Sequence, residues 1–141
     1  SEKKSKNFSS DDTSPIANLT DLTDGLIYIS ETDADIIPFD LGEASGPSAE
    51  ILAKAAGIDP TLSIEKPDTY QFFQRLMTPR DGYSAERLRA CQRYEALYKA
   101  LNDEVRDLTV FKFGDIRVEI FIAGIDRNGH LIGVRTRAVE T

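Results

Sequence analysis

The last third of the chain most constrains what it can fold into. LTVFKF (108–113), IRVEIFIAG (116–124) and HLIGVRTRAVE (130–140) are runs rich in β-branched and aromatic residues. They are separated by Gly114-Asp115 and by Asp126-Arg127-Asn128-Gly129. Ile116, Val118, Ile120 and Ile122 alternate with Arg117, Glu119 and Phe121, the period of a half-buried strand. Asn-Gly between two such runs is a strong hairpin signal. Strands joined by tight turns commit the chain to an antiparallel sheet.

The rest must cover that sheet. Ser14 and Pro15 open a short helix with Ile16, Leu19 and Leu22 on one side and Gly25 as its terminator. A strand is expected over 26–30 and another near 36–41, where Pro38 demands an edge position or a bulge. Ser45-Gly46-Pro47 starts an Ala/Leu-rich helix that stops at Gly57. A further helix begins near Pro67 and ends before Pro79, and its Tyr70, Phe72, Phe73 and Met77 read as core. The longest helix is expected from Ser84 to about Asp107, with Leu88, Cys91, Tyr94, Tyr98, Leu101 and Val105 as its inward stripe. The expectation is one α+β domain over 15–141, an antiparallel sheet of about five strands with helices packed on it. Residues 1–14, polar and almost without apolar side chains, read as a flexible arm.

Composition then removes whole classes of chemistry. With one Cys (Cys91) and one His (His130), neither a disulfide nor a Cys/His zinc site can be built from the chain alone. Cys91 falls on a helical apolar stripe and reads as core, and His130 as a turn residue. The lone cysteine fits a reducing compartment, hence a cytoplasmic expectation, with export left open because the sequence does not start with Met. No apolar run is long enough for a membrane span. Residues 21–68 carry eleven acids against Lys54 and Lys66, a net −9, while residues 69–141 carry ten acids and twelve Lys or Arg, a net +2. An acidic half argues against direct nucleic-acid binding and suits a basic protein partner or a metal.

That acidity is sharpest at ISETDADII (29–37), where Glu31, Asp33 and Asp35 interrupt two apolar runs with no basic residue among them. An EF-hand loop would need a glycine turn and a distal bidentate Glu, and Ile36-Ile37 stand there instead. No pair of acids is singled out for glycosidase-type chemistry, and no Gly-rich phosphate cradle is present. The chain does not read as an enzyme and needs no cofactor.

DGLIYISET (24–32), FFQRLMTPRDGY (72–83) and the closing RTRAVET (135–141) resemble corresponding segments of the nuclease A inhibitor family. The likeness covers about residues 16–141 in order and spacing. It implies an α/β/α sandwich and a small acidic protein, monomeric when free. Such a protein blocks a sugar-nonspecific, Mg²⁺-dependent nuclease of the ββα-metal type in a 1:1 complex. The resemblance also implies that Glu31 reaches the partner's catalytic magnesium, that Thr141 contacts the active-site region, and that Arg80, Asp81 and Gly82 supply a third contact. At the positions of Arg80 and Gly82 the family has a Gln and a Trp. Asp33, Asp35 and Asp40 are then expected to meet the basic surface that holds nucleic-acid backbone, with Ser30 either holding the loop or merely continuing the strand. The competing class is a non-inhibitory interaction module of the same fold with another partner. A third reading makes Glu31 and Asp33 an acid–base pair.

Overall fold

A computed structural model describes residues 15–140 of the 141. The arm 1–14, the expected cap Ser14 and the terminal Thr141 lie outside the described residues. The elements run α1 (Pro15–Thr23), β1 (Ile27–Ile29), β2 (Asp33–Asp35), β3 (Ile37–Glu43), α2 (Ala49–Ala56), β4 (Ile64–Glu65), α3 (Thr69–Met77), α4 (Ala85–Glu104), β5 (Val105–Phe113), β6 (Arg117–Asp126) and β7 (His130–Val139). Five strands form one antiparallel sheet in the order β3-β7-β6-β5-β4, while β1 and β2 form a separate two-stranded ribbon. Pro38 sits on edge strand β3, which also carries a bulge between Asp40 and Glu43.

The sheet buries apolar side chains on both faces. Val118, Ile120 and Ile122 of β6 join Ile132 and Val134 of β7 under α1, α3 and α4, where Leu19, Phe72, Phe73, Leu97 and Leu101 pack. The opposite face sets Phe111, Phe113, Phe121 and Ile125 against Leu52 of α2. Each fully buried Phe or Leu contributes about 1.5–3 kcal/mol. Helices on both faces make an α+β fold, with three helices on one side and α2 on the other. Beyond the reach of α2, Arg135 and Arg137 share Glu119 at 3.3 and 3.0 Å.

Several boundaries differ from expectation. The five-strand count holds with a changed membership, because 27–29 leaves the sheet for the ribbon and Ile64–Glu65 enters it beside β5. The half-buried reading of β6 fails at Phe121, which is buried on the second face, and at Ile116, which is exposed before the strand begins. Helix α2 starts at Ala49, since Ser48 is the residue whose side chain accepts the Ile51 N–H, and it stops at Gly57, whose φ of 70° fits a left-handed cap. Ser84 caps α4, but that helix ends at Glu104 and Val105 opens β5 directly. Its buried residues are Cys91, Tyr94, Leu97 and Leu101, so Leu97 joins the stripe and Leu88 leaves it. Asp68 caps α3 one position after Pro67, and Phe72 and Phe73 are buried while Tyr70 is exposed.

Candidate functional site

The acidic stretch is a hairpin. Ile29 pairs with Asp33, which leaves Ser30, Glu31 and Thr32 as its three-residue tip. Ser30 organises that tip: its hydroxyl donates to the Thr32 carbonyl at 2.7 Å and accepts the N–H groups of Thr32 at 3.3 Å and Val139 at 3.0 Å. The Glu31 N–H adds a bond to the Val139 carbonyl at 3.4 Å. At the other end of the ribbon, Thr136 donates to the Asp35 carbonyl at 2.9 Å. From α4 the Tyr94 hydroxyl donates to the Ile27 carbonyl at 2.6 Å. Burial, followed by the nearby Tyr28, pushes the Tyr94 phenol up, which keeps it a donor. The tip is therefore fixed to β7, the base of the ribbon to β7 and α4, and Glu31 is exposed on a held backbone.

The strand end that receives the hairpin is itself fixed. The Glu140 N–H donates to the Ile116 carbonyl at 2.8 Å, and the Glu140 carboxylate pairs with Lys112 at 2.9 Å. Lys112 is almost buried and also stands 4.0 Å from Glu65. Tyr28, stacked on Phe72 at 6.1 Å, lines a cavity of about 290 Å³ with Arg75, Lys112 and Glu140. Burial raises the Tyr28 phenol, Glu140 adds to this and Arg75 opposes it.

The third segment is the turn between α3 and α4. The Tyr83 N–H donates to the Arg80 carbonyl at 3.2 Å, and Gly82, third in the turn, has φ 86°. A left-handed third position favours Gly on backbone grounds alone, whatever a partner requires. Apart from its two chain neighbours, no atom of the described residues lies within 4 Å of where a Cβ would stand. Arg80, Asp81 and Gly82 are all exposed. Tyr83 and Arg75 share a small cavity with Ile27 and Ile29, which puts this corner beside the hairpin.

The structure thus gathers Glu31, the end of β7 leading to Thr141, and the corner carrying Arg80, Asp81 and Gly82. Asp33 and Asp35 are exposed on β2, on either side of Ala34. They open onto different cavities, Asp33 toward α4 and Asp35 toward Arg135 and Arg137. Asp40 does not join them. It lies in β3 with both carboxylate oxygens 3.1 Å from His130 Nδ1, at the opposite end of β7 from the tip. His130 is the first residue of β7 rather than part of the turn. Among the described residues no group of three His, Cys, Asp or Glu side chains could hold a metal ion, and no helix is long and apolar enough to cross a membrane. Sequence reading left Ser30 undecided and missed Thr136, Tyr94 and Arg75. Ser30, Arg75 and Thr136 lie inside the segments DGLIYISET, FFQRLMTPRDGY and RTRAVET, and Tyr94 on the inward helical stripe, but nothing in the sequence marked the bonds they make.

No curated protein matches the chain. A family model described as nuclease A inhibitor-like protein matches residues 13–141, nearly the whole sequence and every element of the site just described. The chain belongs to the nuclease A inhibitor-like family.

Proposed function

We propose that this protein inhibits a Mg²⁺-dependent, sugar-nonspecific nuclease of the ββα-metal type by seating the Ser30-Glu31-Thr32 tip in its active site. The observation that carries the reading is the pinning of that tip: Ser30 and Glu31 both bond Val139, two residues before Thr141. A nuclease holds Mg²⁺ with few protein ligands and leaves positions open for phosphate and water. A carboxylate is a hard oxygen ligand that cannot be cleaved, and Glu31 offers one where substrate phosphate would bind. In this reading Thr141, two residues beyond Val139 in sequence, and the Arg80-Asp81-Gly82 turn supply further contacts to the nuclease. Asp33 and Asp35 extend the acidic surface toward a cleft whose Lys and Arg otherwise meet nucleic acid, which speeds encounter. The protein acts by occupying the cleft, as a 1:1 complex, without touching nucleic acid and without catalysis of its own.

Titration into such a nuclease, followed by plasmid cleavage, tests this. A sharp end point near one to one is expected. Glu31→Gln should weaken inhibition by about 2–5 kcal/mol, the scale for truncating one member of a buried charge pair. Full potency of that variant would remove Glu31 from the mechanism. A second reading, the same face used on a different partner, is favoured by the corner: Gly82 offers no side chain to bury, and Arg80 brings positive charge toward a basic cleft. A folded protein that leaves every such nuclease active would establish it.

A further inference from the structure

The acidic hairpin has a basic neighbour. Between β1 and the first half of α4 runs a groove of about 430 Å³ with Ile27, Ile29 and Ala90 in its lining and Arg87, Arg89 and Arg93 along α4. It continues past Arg87 into the small cavity that reaches Tyr83 and Arg75. The arginines are not equivalent. Arg93 donates to the carbonyls of Leu22 at 3.0 Å and Asp24 at 2.6 Å, so it fastens α4 to the end of α1. Arg87 stacks over the Tyr83 ring at 4.2 Å. Arg75, Arg80 and Arg89 are exposed, and among the described residues no carboxylate pairs with them. On the other flank of the hairpin, Arg135 and Arg137 share the single carboxylate of Glu119, which offsets one of their two charges. Arg75, Arg87 and Arg89 thus line one continuous surface beside the proposed inhibitory tip, over an apolar floor where Ile29 is 52% exposed.

We propose that this groove is a second contact surface for the target nuclease and takes an acidic segment of it. Carboxylates would sit against Arg75, Arg87 and Arg89, and an apolar side chain against Ile27, Ile29 and Ala90. The inference rests on the inhibitor reading and extends it: the target carries negative charge beside its basic cleft. Charge complementarity and the apolar floor select a protein segment over nucleic acid. Asp33 and Glu86 line the same groove and would repel phosphates, whereas a peptide with spaced carboxylates can avoid them. The positive charge of Arg80, out of place against a basic cleft, is consistent with this arrangement, since its turn leads directly to Tyr83 and Arg87.

The test compares the wild-type protein, Arg75→Glu/Arg89→Glu, and Lys54→Glu on α2 across the sheet, all shown to be folded, as inhibitors of plasmid cleavage by a Mg²⁺-dependent, sugar-nonspecific nuclease. The double reversal is expected to raise the inhibition constant about tenfold or more, with part of the loss in the association rate, and Lys54→Glu to change it little. In the wild-type complex, the amide resonances of Ile29, Arg89 and Ala90 in ¹⁵N-labelled inhibitor should shift. A wild type that inhibits, with an equally potent double reversal and unmoved groove resonances, overturns the groove and leaves the inhibitor reading standing. A wild type that inhibits no such nuclease overturns both. Salt-sensitive binding of single-stranded DNA, lost in the double reversal, would assign the groove to phosphates and overturn the proposal.

Discussion

The hairpin and the α3–α4 corner sit side by side and are built on opposite plans. The hairpin carries negative charge on a backbone held at its tip by Val139, along β2 by Thr136 and along β1 by Tyr94. The corner sets Arg75, Arg80 and Arg87 against Asp81 and Glu86, a small net positive charge, and its exposed turn has one internal backbone bond, from Tyr83 to Arg80. Side-chain immobilisation on binding costs about 0.5–1.5 kcal/mol per rotamer-rich residue, so a preformed tip delivers its carboxylate at less cost than a free loop would. The arginines remain long, hydrated and adjustable. Fixed acid and adjustable base suit different tasks, the first meeting one point in a cleft and the second tolerating variation in the surface beside it.

Removing the supports of the hairpin one at a time should break the contrast. Tyr94→Phe deletes the hydroxyl that satisfies the Ile27 carbonyl, with little change in shape. A buried acceptor deprived of its donor costs about 1–3 kcal/mol; this one is part-buried, so a loss toward the lower end is expected, still the largest of the series by chemical denaturation. An unchanged midpoint would mean that water or a relaxed β1 replaces the phenol at no cost. Ser30→Ala removes one donated and two accepted bonds at a more exposed place, and a stability loss of about 1 kcal/mol is expected. Its inhibition should fall more than its stability implies, because the tip must then be ordered on binding. Inhibition at wild-type strength would show that Glu31 needs no preformed tip.

Gly82→Ala sharpens the same comparison from the other side. The site has open space for a methyl group, so only the left-handed backbone resists it, at about 1–2 kcal/mol for a non-glycine residue. The turn can relax part of this, so a loss near the lower end is expected, with little effect on the hairpin. A large loss of inhibition without loss of stability would make the turn a precise contact instead of an adjustable one.

Legibility followed the range of the forces involved. The β6–β7 hairpin was readable because Asp126 and Gly129 set it locally: the Asp126 carboxylate accepts the N–H groups of Asn128 and His130, and Gly129 has φ 80°. The start of α4 was readable from its cap, Ser84. Ile64–Glu65 was not, because two residues show no period and become a strand only by pairing with Phe113 and Lys112. Phe121 looked like an outward residue because alternation cannot say that α2 returns to cover the second face. In the site, the acids stood out as composition. What holds them did not, because Ser30 to Val139 and Tyr94 to Ile27 are contacts 109 and 67 residues apart in sequence.

The far end of β7 supplies the smallest expected effect and the control for all the others. About 30 Å of strand separates its first residue from the hairpin tip. The hydrogen bond to Asp40 raises the His130 pKa above the usual 6.5; slight desolvation opposes this, and the charges of Asp40, Asp126 and Glu43 reinforce it. For Asp40, desolvation pulls upward but is outweighed by the Gly42 N–H and by the bond to and charge of His130, so its pKa is lowered. A histidine raised on folding contributes stability that is complete below its unfolded pKa and disappears as pH rises through the folded one. A lowered aspartate contributes above its unfolded pKa and loses that contribution as pH falls through the folded one. Stability should therefore decline modestly above about pH 6.5. His130→Asn should flatten that decline while leaving inhibition unchanged. Denaturation midpoints from pH 5.5 to 8.5, compared with inhibition of the same samples, separate the two ends of the strand. A variant that keeps the wild-type slope would remove the pair from the pH response. One that loses inhibition would show that the tip is held through the whole of β7, and not by its last residues alone.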